Sequence, residues 1–549
     1  MRILVHATAA SALVMGTQAS ALPADFTKKA DAVIQSAFAA DAPGAAAIVM
    51  DDGKVVYAAG RGLADVSTKK AITPDTVFRL GSITKQFTAA VVLQLVEEGK
   101  VSLSDPLSKY VPDYPKPGAD ATVAQLLNHT SGIQSYTGIP GWMTSPKPAQ
   151  AFTTSALIAE FKDKPVEFER GSKFDYNNSG YVLLGAIIEK ATGKAWHEAV
   201  IDRIAKPFGL KTIRYGEDER AVPAMAVGYT KNDGKIEPSR PIHMSVPHAA
   251  GALIGTVGDL AKWSQALHHG KVVKSETYKQ MIAPTKLLDG KEEPYAFGLS
   301  NDDLRGRHAV SHGGGIFGFS TYGMYVPSED VFVAVFTNSD EPSASPTATS
   351  MRLAALAIND PYPVFSKADV PAAKIEPLFG LYKVDGGERR FFARDGKLFT
   401  QRTASPALEV VPAGGDRFYY PDSLSWFAIE RGADGKPVMQ FHSNGAPKAV
   451  PAAYAGPIPR EVVAKVDQAD LERLAGTYQG PAPILVAVAG EGLTLKFGNQ
   501  PITNLVPESA TLFRVKEIDA KVEFKVEGGK ASELLIHQGG RALPAKRSN

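Results

Sequence analysis

A serine and a lysine stand three residues apart at the predicted start of a helix. Ser82 and Lys85 follow a strand-like run over residues 76–80 and precede an apolar helical pattern over residues 86–98. Residues i and i+3 share one face of a helix, and the unpaired N–H groups of a first helical turn favour developing negative charge. A serine hydroxyl beside a lysine amine at this position is suited to acyl transfer.

A second Ser-x-x-Lys sequence shows that this spacing is not specific by itself. It runs from Ser67 to Lys70 within a polar stretch, and we expect an exposed turn between strands with no chemical role. Ser82 therefore needs further proton-handling groups from elsewhere in the chain.

A loop before another predicted helix supplies a tyrosine and an amide. Tyr176 and Asn178 precede an apolar helical run over residues 181–191. A tyrosine hydroxyl can carry a proton if nearby cations lower its pKa, and an asparagine amide can hold Lys85 or a substrate carbonyl. The alternative is a tyrosine packed at a helix start, with asparagine as an ordinary turn residue.

A histidine with three glycines is the third candidate. His312 is followed by Gly313, Gly314 and Gly315, just before a predicted strand over residues 321–326. Glycines beside a strand let a ligand approach the backbone closely, and histidine can change its charge near neutral pH. The alternative is a glycine-rich turn with a surface histidine. A lipase-type oxyanion loop is excluded because no Gly-x-Ser-x-Gly sequence follows.

The composition is that of a large globular protein. A length of 549 residues suggests roughly three or four domains. An apolar content of 44% and a charged content of 21% are enough to build cores. The net charge of +2, without a basic stripe, argues against a nucleic-acid partner. The absence of cysteine excludes disulfides, thiolate catalysis and cysteine zinc sites.

The N-terminus resembles a secretory signal peptide. Arg2 precedes a mostly small and apolar run over residues 3–15, and residues 19–21 form a small-x-small cleavage pattern. We expect a signal peptide over residues 1–21 and a periplasmic or secreted protein; an Ala-rich helical extension is the alternative. No other stretch of about 20 apolar residues exists, so no membrane span is predicted.

Residues 24–360 mix helices and strands. The pattern predicts an amphipathic helix over residues 24–40, a hairpin from the apolar runs 45–50 and 55–59, and a buried strand over residues 331–336. Strands at both ends with helices between them indicate an α+β domain, in which helices pack on an antiparallel sheet.

The composition changes near residue 361, where a proline-rich linker begins. Beyond it, short alternating runs with glycine turns replace the helical period. The sequence Leu378–Tyr382 (Leu-Phe-Gly-Leu-Tyr) matches Leu474–Tyr478 (Leu-Ala-Gly-Thr-Tyr) at an offset of 96 residues. This repeat predicts two small antiparallel β-barrel-like domains, over residues 377–450 and 471–549.

Taken together and in this order, the three candidates resemble the serine β-lactamase-like, penicillin-recognising hydrolases. The resemblance spans about residues 30–345 and includes the flanking runs Leu126–Gly132 and Ala250–Leu253. The motifs that carry it are Ser82-x-x-Lys85, Tyr176-x-Asn178 and His312-Gly313-Gly314. The two β domains that follow resemble the three-domain D-aminopeptidase branch of that family.

The resemblance implies a β-lactamase/transpeptidase-like catalytic domain over residues 22–360 and a role for each candidate. Ser82 would be the nucleophile and Lys85 its activator, while Tyr176 would carry the proton to the leaving group. Asn178 would orient groups in the site, and the N–H groups of Ser82 and Gly315 would form the oxyanion hole. The implied catalytic residues are Ser82, Lys85, Tyr176 and His312, and the implied substrate-binding residues are Asn178, Gly314 and Gly315. No metal or cofactor is implied.

The third motif narrows the implied activity. Many members that act on β-lactams or on C-terminal D-Ala have Lys-Thr-Gly there, and its permanent cation suits a substrate carboxylate. His312 stands in that place and should be largely neutral at pH 7. This argues against strong β-lactamase action and resembles the D-aminopeptidase and esterase branches.

We therefore expect an exported serine hydrolase that cleaves peptide bonds through an acyl-enzyme, next to a D-amino acid such as D-Ala. Its substrate would be a small peptide or ester. Some relatives in this branch cleave linearised cyanobacterial heptapeptide toxins of the microcystin type. An esterase of small acyl esters, and a penicillin-binding or acyl-sensing protein with little turnover, are the alternatives.

Overall fold

The computed structural model of this chain describes residues 22–548, apart from residues 218, 233, 404, 422, 460–462, 481, 499, 517 and 539–540. The predicted signal peptide, residues 1–21, lies outside the described residues. The chain divides into two compact units, residues 1–362 and residues 363–549. None of the described helices is long and apolar enough to cross a membrane.

The strands of the first unit that form its main sheet come from the two ends of its sequence. In chain order the described strands are β1 (Ala45–Asp51), β2 (Lys54–Arg61), β3 (Leu63–Asp65), β4 (Lys70–Ala71), β5 (Phe78–Arg79), β6 (Arg214–Tyr215), β7 (Tyr229–Asn232), β8 (Lys235–Pro238), β9 (Leu253–Gly255), β10 (Thr285–Lys286), β11 (Glu292–Glu293), β12 (Ser300–Leu304), β13 (Arg307–Ile316), β14 (Phe319–Val326) and β15 (Val331–Thr337). The main sheet is antiparallel, in the order β12-β13-β14-β15-β1-β2. The predicted α+β arrangement is therefore confirmed.

Helices cover the sheet and build a second layer beside it. The described α-helices of this unit are α1 (Phe26–Ala37), α2 (Thr84–Glu97), α3 (Val123–Leu127), α4 (Thr154–Ala159), α5 (Asn178–Thr192), α6 (Trp196–Val200), α7 (His248–Gly251), α8 (Val257–His268), α9 (Ser275–Ile282) and α10 (Pro346–Ala357). The central strand β15 is buried along its whole length, which requires protein on both of its faces. Both α8 and α10 pack against β15, and α1 packs against α10.

α2 is the central helix of the helical layer. All its residues from Thr84 to Leu93 are buried, as expected of a helix that protein surrounds on every side. It packs against α5, α6, α7 and α9, and the turn just before it contacts β13. The start of α2 is thus held between the helical layer and the sheet.

The predicted elements of this unit are present with shifted ends. The helix predicted over residues 24–40 is α1, and the strand predicted over residues 331–336 is β15. The hairpin predicted from residues 45–50 and 55–59 is the pair β1–β2. It turns through Gly53, whose φ of +69° favours glycine.

The second unit consists of two closed antiparallel barrels. The described strands of the first barrel are β16 (Gly380–Val384), β17 (Gly387–Arg394), β18 (Lys397–Arg402), β19 (Ala407–Gly414), β20 (Arg417–Tyr419), β21 (Trp426–Arg431), β22 (Pro437–His442) and β23 (Val450–Gly456). Those of the second are β24 (Gly476–Gln479), β25 (Pro483–Ala489), β26 (Gly492–Phe497), β27 (Thr503–Pro507), β28 (Leu512–Val515), β29 (Ala520–Glu527), β30 (Lys530–Gln538) and β31 (Arg541–Arg547). The short helices α11 (Ala372–Ile375) and α12 (Gln468–Leu474) precede the two barrels.

The tyrosine of the internal repeat makes the same hydrogen bond in both barrels. The Tyr382 hydroxyl donates a hydrogen bond to the Leu378 carbonyl at 2.5 Å, and the Tyr478 hydroxyl donates one to the Leu474 carbonyl at 2.6 Å. Both tyrosines are fully buried. The repeated tyrosine thus ties the end of a helical turn to the first strand of its barrel.

The last strand of the first barrel extends beyond the predicted limit at residue 450. β23 pairs with β22 and β16 and so closes the barrel. The sequence signal for this strand is weak because it contains Pro451, and because the inward-facing residue Ala452 is too small to give a clear alternating pattern. The strand is recognised only from its pairing.

Candidate active site

The turn that carries Ser82 lies between β5 and α2. Residues Gly81–Ile83 form a single 3-10 turn, and α2 begins at Thr84, within two residues of the predicted start at residue 86. Gly81 has a φ of +54°, which is unfavourable for residues with a side chain. Ser82 is partly exposed at this end of α2, where the helix dipole favours negative charge.

Lys85 joins three parts of the site. Its Nζ lies 3.1 Å from Ser82 Oγ, 2.9 Å from Asn178 Oδ1 and 2.9 Å from the Ala250 carbonyl oxygen. The side chain is fully buried. The fold therefore brings together the serine, the lysine and the asparagine proposed from the sequence. Ala250 lies in a run that the sequence resemblance included without giving it a role.

Burial shifts Lys85 toward its neutral amine. Burial lowers the pKa of Lys85 well below its usual 10.5. The oxygens of Asn178 and Ala250 can only accept hydrogen bonds. A neutral amine has two hydrogens and one lone pair, so it can donate to both oxygens and still accept from the Ser82 hydroxyl. The arrangement therefore suits Lys85 as a base toward Ser82.

Asn178 is fixed by the start of α5. Asn177 caps this helix, because its Oδ1 accepts a hydrogen bond from the Gly180 N–H at 2.9 Å. Asn178 is the first helical residue, and its Nδ2 donates to Thr137 Oγ1 at 3.0 Å. With the amide nitrogen occupied in this way, the amide oxygen is directed at Lys85.

Tyr176 lies just before α5, with its ring centroid 4.8 Å from Lys85 Nζ. Its pKa is raised, because the surrounding protein disfavours the phenolate, while a hydrogen bond with Ser82 acts in the opposite direction. The sequence argument required cations that lower this pKa. The shift is upward because desolvation outweighs the hydrogen bond with Ser82. In the resting site Tyr176 is thus a protonated phenol beside Ser82, able to donate a proton.

The His129 ring packs against the Tyr176 ring. Its ring centroid lies 4.4 Å from that of Tyr176, and its Nδ1 accepts a hydrogen bond from the Asn177 N–H at 3.0 Å. The residue is 1% exposed. His129 belongs to the resembling run Leu126–Gly132, which is the sequence signal that pointed to it, but no role was assigned to it there.

His312 lies within β13, so the alternative of a glycine-rich turn with a surface histidine is wrong. Its exposed fraction is only 6%. β12 pairs with β13 only as far as Ser311. From His312 onward, one edge of β13 has no described strand beside it, and this part of the strand lies near the turn that carries Ser82.

The two glycines of this segment have different reasons to be glycine. A Cβ on Gly314 would lie 2.1 Å from the Leu80 carbonyl oxygen and 2.3 Å from Thr321 Oγ1, so the strand could not lie this close. A Cβ on Gly315 would meet no atom within 4 Å, whereas one on Gly81 would lie 3.0 Å from the Gly315 nitrogen. The Gly315 nitrogen therefore lies beside the turn before α2, as a two-donor oxyanion hole requires.

Burial keeps His312 neutral, and its two hydrogen-bond partners fix its tautomer. Its Nδ1 lies 2.5 Å from the Gly313 carbonyl oxygen, and its Nε2 lies 2.8 Å from the Tyr295 hydroxyl. A carbonyl can only accept, so Nδ1 carries the proton and Nε2 accepts from Tyr295. Burial lowers the pKa of His312 to about 3. No motif in the sequence pointed to Tyr295.

Ser82 opens into a cleft of about 350 Å³ whose walls are mostly apolar. The lining residues are Gly81, Ser82, Tyr136, Thr137, Met143, Asn178, Ile242, Val246, Pro247, Ala250, Gly251, Gly315, Ile316, Phe317, Phe319, Ser320 and Asp340. A cleft of this size with a few polar groups at one point is suited to a small ligand.

The second Ser-x-x-Lys sequence is an exposed turn, as predicted. Ser67 Oγ donates to Asp65 Oδ1 at 2.7 Å, and Lys70 Nζ donates to the Pro223 carbonyl oxygen at 2.5 Å. This serine and lysine are thus bonded to other groups, whereas Lys85 Nζ contacts Ser82 Oγ directly.

Comparison with known proteins places this site in a family. Residues 30–357 match the beta-lactamase family, which is more than half of the chain. The chain belongs to the beta-lactamase family. It is therefore a serine hydrolase of the beta-lactamase type, and the match includes all seven residues that the sequence proposed for the site.

Curated beta-lactamase relatives extend over most of the chain. A D-aminopeptidase from Gluconobacter oxydans is 26% identical over 463 residues, which cover 82% of this chain and 82% of the relative. Penicillin-binding protein 4* from Bacillus subtilis is 25% identical over 396 residues, covering 68% of this chain and 86% of that protein.

Solved structures show the same beta-lactamase fold. The octameric penicillin-binding protein homologue from Pyrococcus abyssi has a TM-score of 0.55 at 24% identity, covering 94% of this chain and 99% of the other. A D-stereospecific amidohydrolase from Streptomyces sp. has a TM-score of 0.51 at 30% identity. It matches 58% of this chain and 97% of its own.

Proposed function

We propose that this protein is an exported serine peptidase that cleaves amide bonds next to a D-amino acid through an acyl-enzyme on Ser82. The observation that carries the chemistry is the bonding of Lys85. It is buried, its pKa is lowered, two acceptor oxygens hold its N–H groups, and its Nζ lies 3.1 Å from Ser82 Oγ.

Acylation follows from these contacts. Lys85 takes the proton of Ser82 while Ser82 Oγ attacks the substrate carbonyl carbon, so a C–O bond forms and the carbonyl π electrons move to its oxygen. The N–H groups of Ser82 and Gly315 stabilise that oxyanion. The ammonium formed on Lys85 keeps its two acceptor oxygens and lies near the Tyr176 ring, 4.8 Å from its centroid.

Breakdown of the intermediate needs a proton at the leaving nitrogen. The Tyr176 hydroxyl, a protonated phenol beside Ser82, donates it as the C–N bond breaks, and the extra proton on Lys85 restores the phenol. Water then attacks the ester in the second half. Its proton passes to the Tyr176 and Lys85 pair, and Ser82 Oγ leaves with a proton.

The choice of amide bonds next to D-residues is supported by the relatives. The Gluconobacter oxydans relative is named a D-aminopeptidase, and the Streptomyces structure, at 30% identity, is a D-stereospecific amidohydrolase. The neutral His312 adds a physical argument, because it provides no cation for a substrate carboxylate. We therefore propose that β-lactams and C-terminal D-Ala-D-Ala are poor substrates.

The proposal also includes export from the cytoplasm and a natural group of substrates. Residues 1–21 have the pattern of a signal peptide, and cell fractionation with N-terminal sequencing of the mature protein tests it. Linearised cyclic peptides that contain D-Ala, such as opened microcystin-type toxins, are proposed as one natural substrate group. They belong in the substrate panel beside simple peptides.

The test is product identification by mass spectrometry. Wild type and Ser82→Ala are incubated with peptides that hold matched L-Ala and D-Ala bonds, at the ends and internally, together with small acyl esters. Cleavage next to D-Ala by wild type alone, and a covalent adduct on Ser82, are expected. Cleavage of esters alone would make the protein an esterase. A stable adduct without turnover would make it an acyl-binding protein, and an active Ser82→Ala variant would overturn the mechanism.

A further inference from the structure

The cleft beside Ser82 has a single charged group in its described lining, the Asp340 carboxylate. The walls around it are apolar and include Ile242, Phe317 and Phe319. A lone charge between apolar walls acts through a low local dielectric, so it attracts an opposite charge strongly. A charge in this setting suits a cation on a ligand.

Only one of the two oxygens of the Asp340 carboxylate accepts a hydrogen bond from the described residues. Its Oδ2 accepts a hydrogen bond from the Gly318 N–H at 2.9 Å. Its Oδ1 is buried and accepts no hydrogen bond from the described residues. A buried carboxylate oxygen without a partner costs free energy that an incoming donor can recover. A primary ammonium supplies three N–H donors and a full charge.

Asp340 is held firmly in place. Two residues before it, Asn338 is fully buried; its Oδ1 accepts from the Gly44 N–H and its Nδ2 donates to the carbonyl oxygens of Leu63 and Val227. The Asp340 N–H donates to the Tyr229 carbonyl oxygen at 3.1 Å. A carboxylate on so fixed a segment is already positioned for a ligand.

The cations near the cleft do not occupy this carboxylate. Arg79 Nε donates to Glu219 Oε2 at 2.8 Å, so its charge is already paired. Arg240 stacks on the Phe317 ring, 4.0 Å from the centroid, and is not among the residues that line the cleft. No ion pair of Asp340 occurs among the described residues.

The contact of Asp340 with the turn that follows β13 indicates which end of a peptide it meets. His312 is neutral and offers no cation for a substrate carboxylate, and Gly315 lies beside the turn that carries Ser82. Asp340 binds Gly318, at the far side of Gly315 from His312. The end of a peptide that extends past Gly315 toward Gly318 meets the one charged group in the described lining of the cleft, and a negative charge suits an amino end.

We propose that Asp340 binds a primary ammonium on the acyl part of the substrate and thereby makes the enzyme read the amino side of the cleaved bond. This rests on the proposed function, because it assumes cleavage through Ser82. The ammonium has two chemical sources, the free N-terminus of a short peptide and a lysine-type side chain. Both place three N–H donors in the apolar cleft.

The experiment compares kcat/KM on p-nitroanilides that differ only at the amine. The substrates are D-Ala and Gly-D-Ala with a free N-terminus, the same two with an acetylated N-terminus, and acetyl-Lys-D-Ala. Asp340→Asn removes the charge but keeps an oxygen for Gly318. Glu341→Gln is the matched control, because it removes a neighbouring, exposed charge.

We expect wild type to prefer an ammonium-bearing substrate over its acetylated counterpart. Asp340→Asn should lose at least about tenfold on that substrate. Its rates on acetyl-D-Ala and acetyl-Gly-D-Ala, which carry no ammonium, should change little and also verify the fold. Glu341→Gln should behave as wild type. Selective loss on a free N-terminus identifies that source, and selective loss on acetyl-Lys-D-Ala identifies the side chain.

Equal losses on free and acetylated substrates, or none, would overturn the ammonium subsite and leave the proposed function standing. Failure of the proposed function looks different, because wild type itself would then cleave no member of the series in a Ser82-dependent way.

Discussion

Full burial shifts Lys85 toward its neutral amine, because a charge removed from water is costly. The reaction needs that neutral form as its base. We therefore expect kcat/KM to be high above the lowered pKa of Lys85 and to fall as pH drops through it and the amine is protonated. The pH profile of kcat/KM on a D-Ala peptide measures this, and its acid limb should lie well below 10.5.

The variant His312→Gln tests whether the acid limb of the pH profile belongs to Lys85 or to His312, the other basic group near the serine. The pKa of His312 is lowered to about 3, so His312 is already neutral throughout the near-neutral range. The variant should keep the limb at the same pH, whatever its absolute rate. An acid limb that vanishes with His312, or one that lies at or above 10.5, would contradict Lys85 as the base.

The chemistry of the motifs predicts some contacts of the site but not others. The contact of Lys85 with both Ser82 and Asn178 could be anticipated, because the chemistry requires a base and a group to orient it. Tyr295 and Asp340 could not, because each acts through a neighbour that is close in space only after the chain has folded. Neither belongs to a motif.

At the scale of elements, the junction of β13 with the turn before α2 determines the geometry of the proposed oxyanion hole. Gly314→Ala would drive a methyl group to 2.1 Å from the Leu80 carbonyl oxygen. We expect a loss of about 1–3 kcal/mol in the free energy of unfolding, with a large fall in kcat because the strand must move away from Ser82. Urea denaturation and steady-state kinetics measure the two effects.

Gly315→Ala is the matched control for stability, because its new methyl group meets no atom within 4 Å. Its free energy of unfolding should stay within about 0.5 kcal/mol of wild type. If the two variants were equally stable, close backbone packing would not be the reason for glycine at position 314.

The same segment shows where sequence patterns fail for elements. A histidine followed by three glycines is typical of a turn, because glycine weakens strands. In the fold the segment remains a strand, since β14 pairs with it as far as Ile316 and the absent side chains let it approach Leu80. Packing against a neighbouring backbone decides the structure here, and that information is not local to the segment.

For the whole molecule, the sequence predicted the order of parts well, because each part has its own pattern. The change near residue 361 lies beside the division between the two units after Tyr362. The repeated tyrosine predicted two related barrels, and both close. The end of the first barrel was missed, because β23 has small inward residues and its identity depends on partners far away in sequence.

The first unit has a complete hydrophobic core of its own. Its helices bury both faces of β15, and its large apolar cluster draws on residues from Ala46 to Phe336. The solved chain of the Streptomyces amidohydrolase matches 58% of this chain over 97% of its own length, so nearly all of that solved chain corresponds to part of this one. A chain of residues 22–362 should therefore fold cooperatively and keep Ser82-dependent hydrolysis.

Thermal unfolding by circular dichroism and turnover of a D-Ala p-nitroanilide test this truncated chain, with its Ser82→Ala form as the control. A single cooperative transition with Ser82-dependent turnover is expected, since each layer of the unit is completed by residues from within it. An aggregated or non-cooperative product would mean that residues 363–549 contribute to the stability of the catalytic unit. A folded chain without turnover would mean that those residues contribute to the reaction itself.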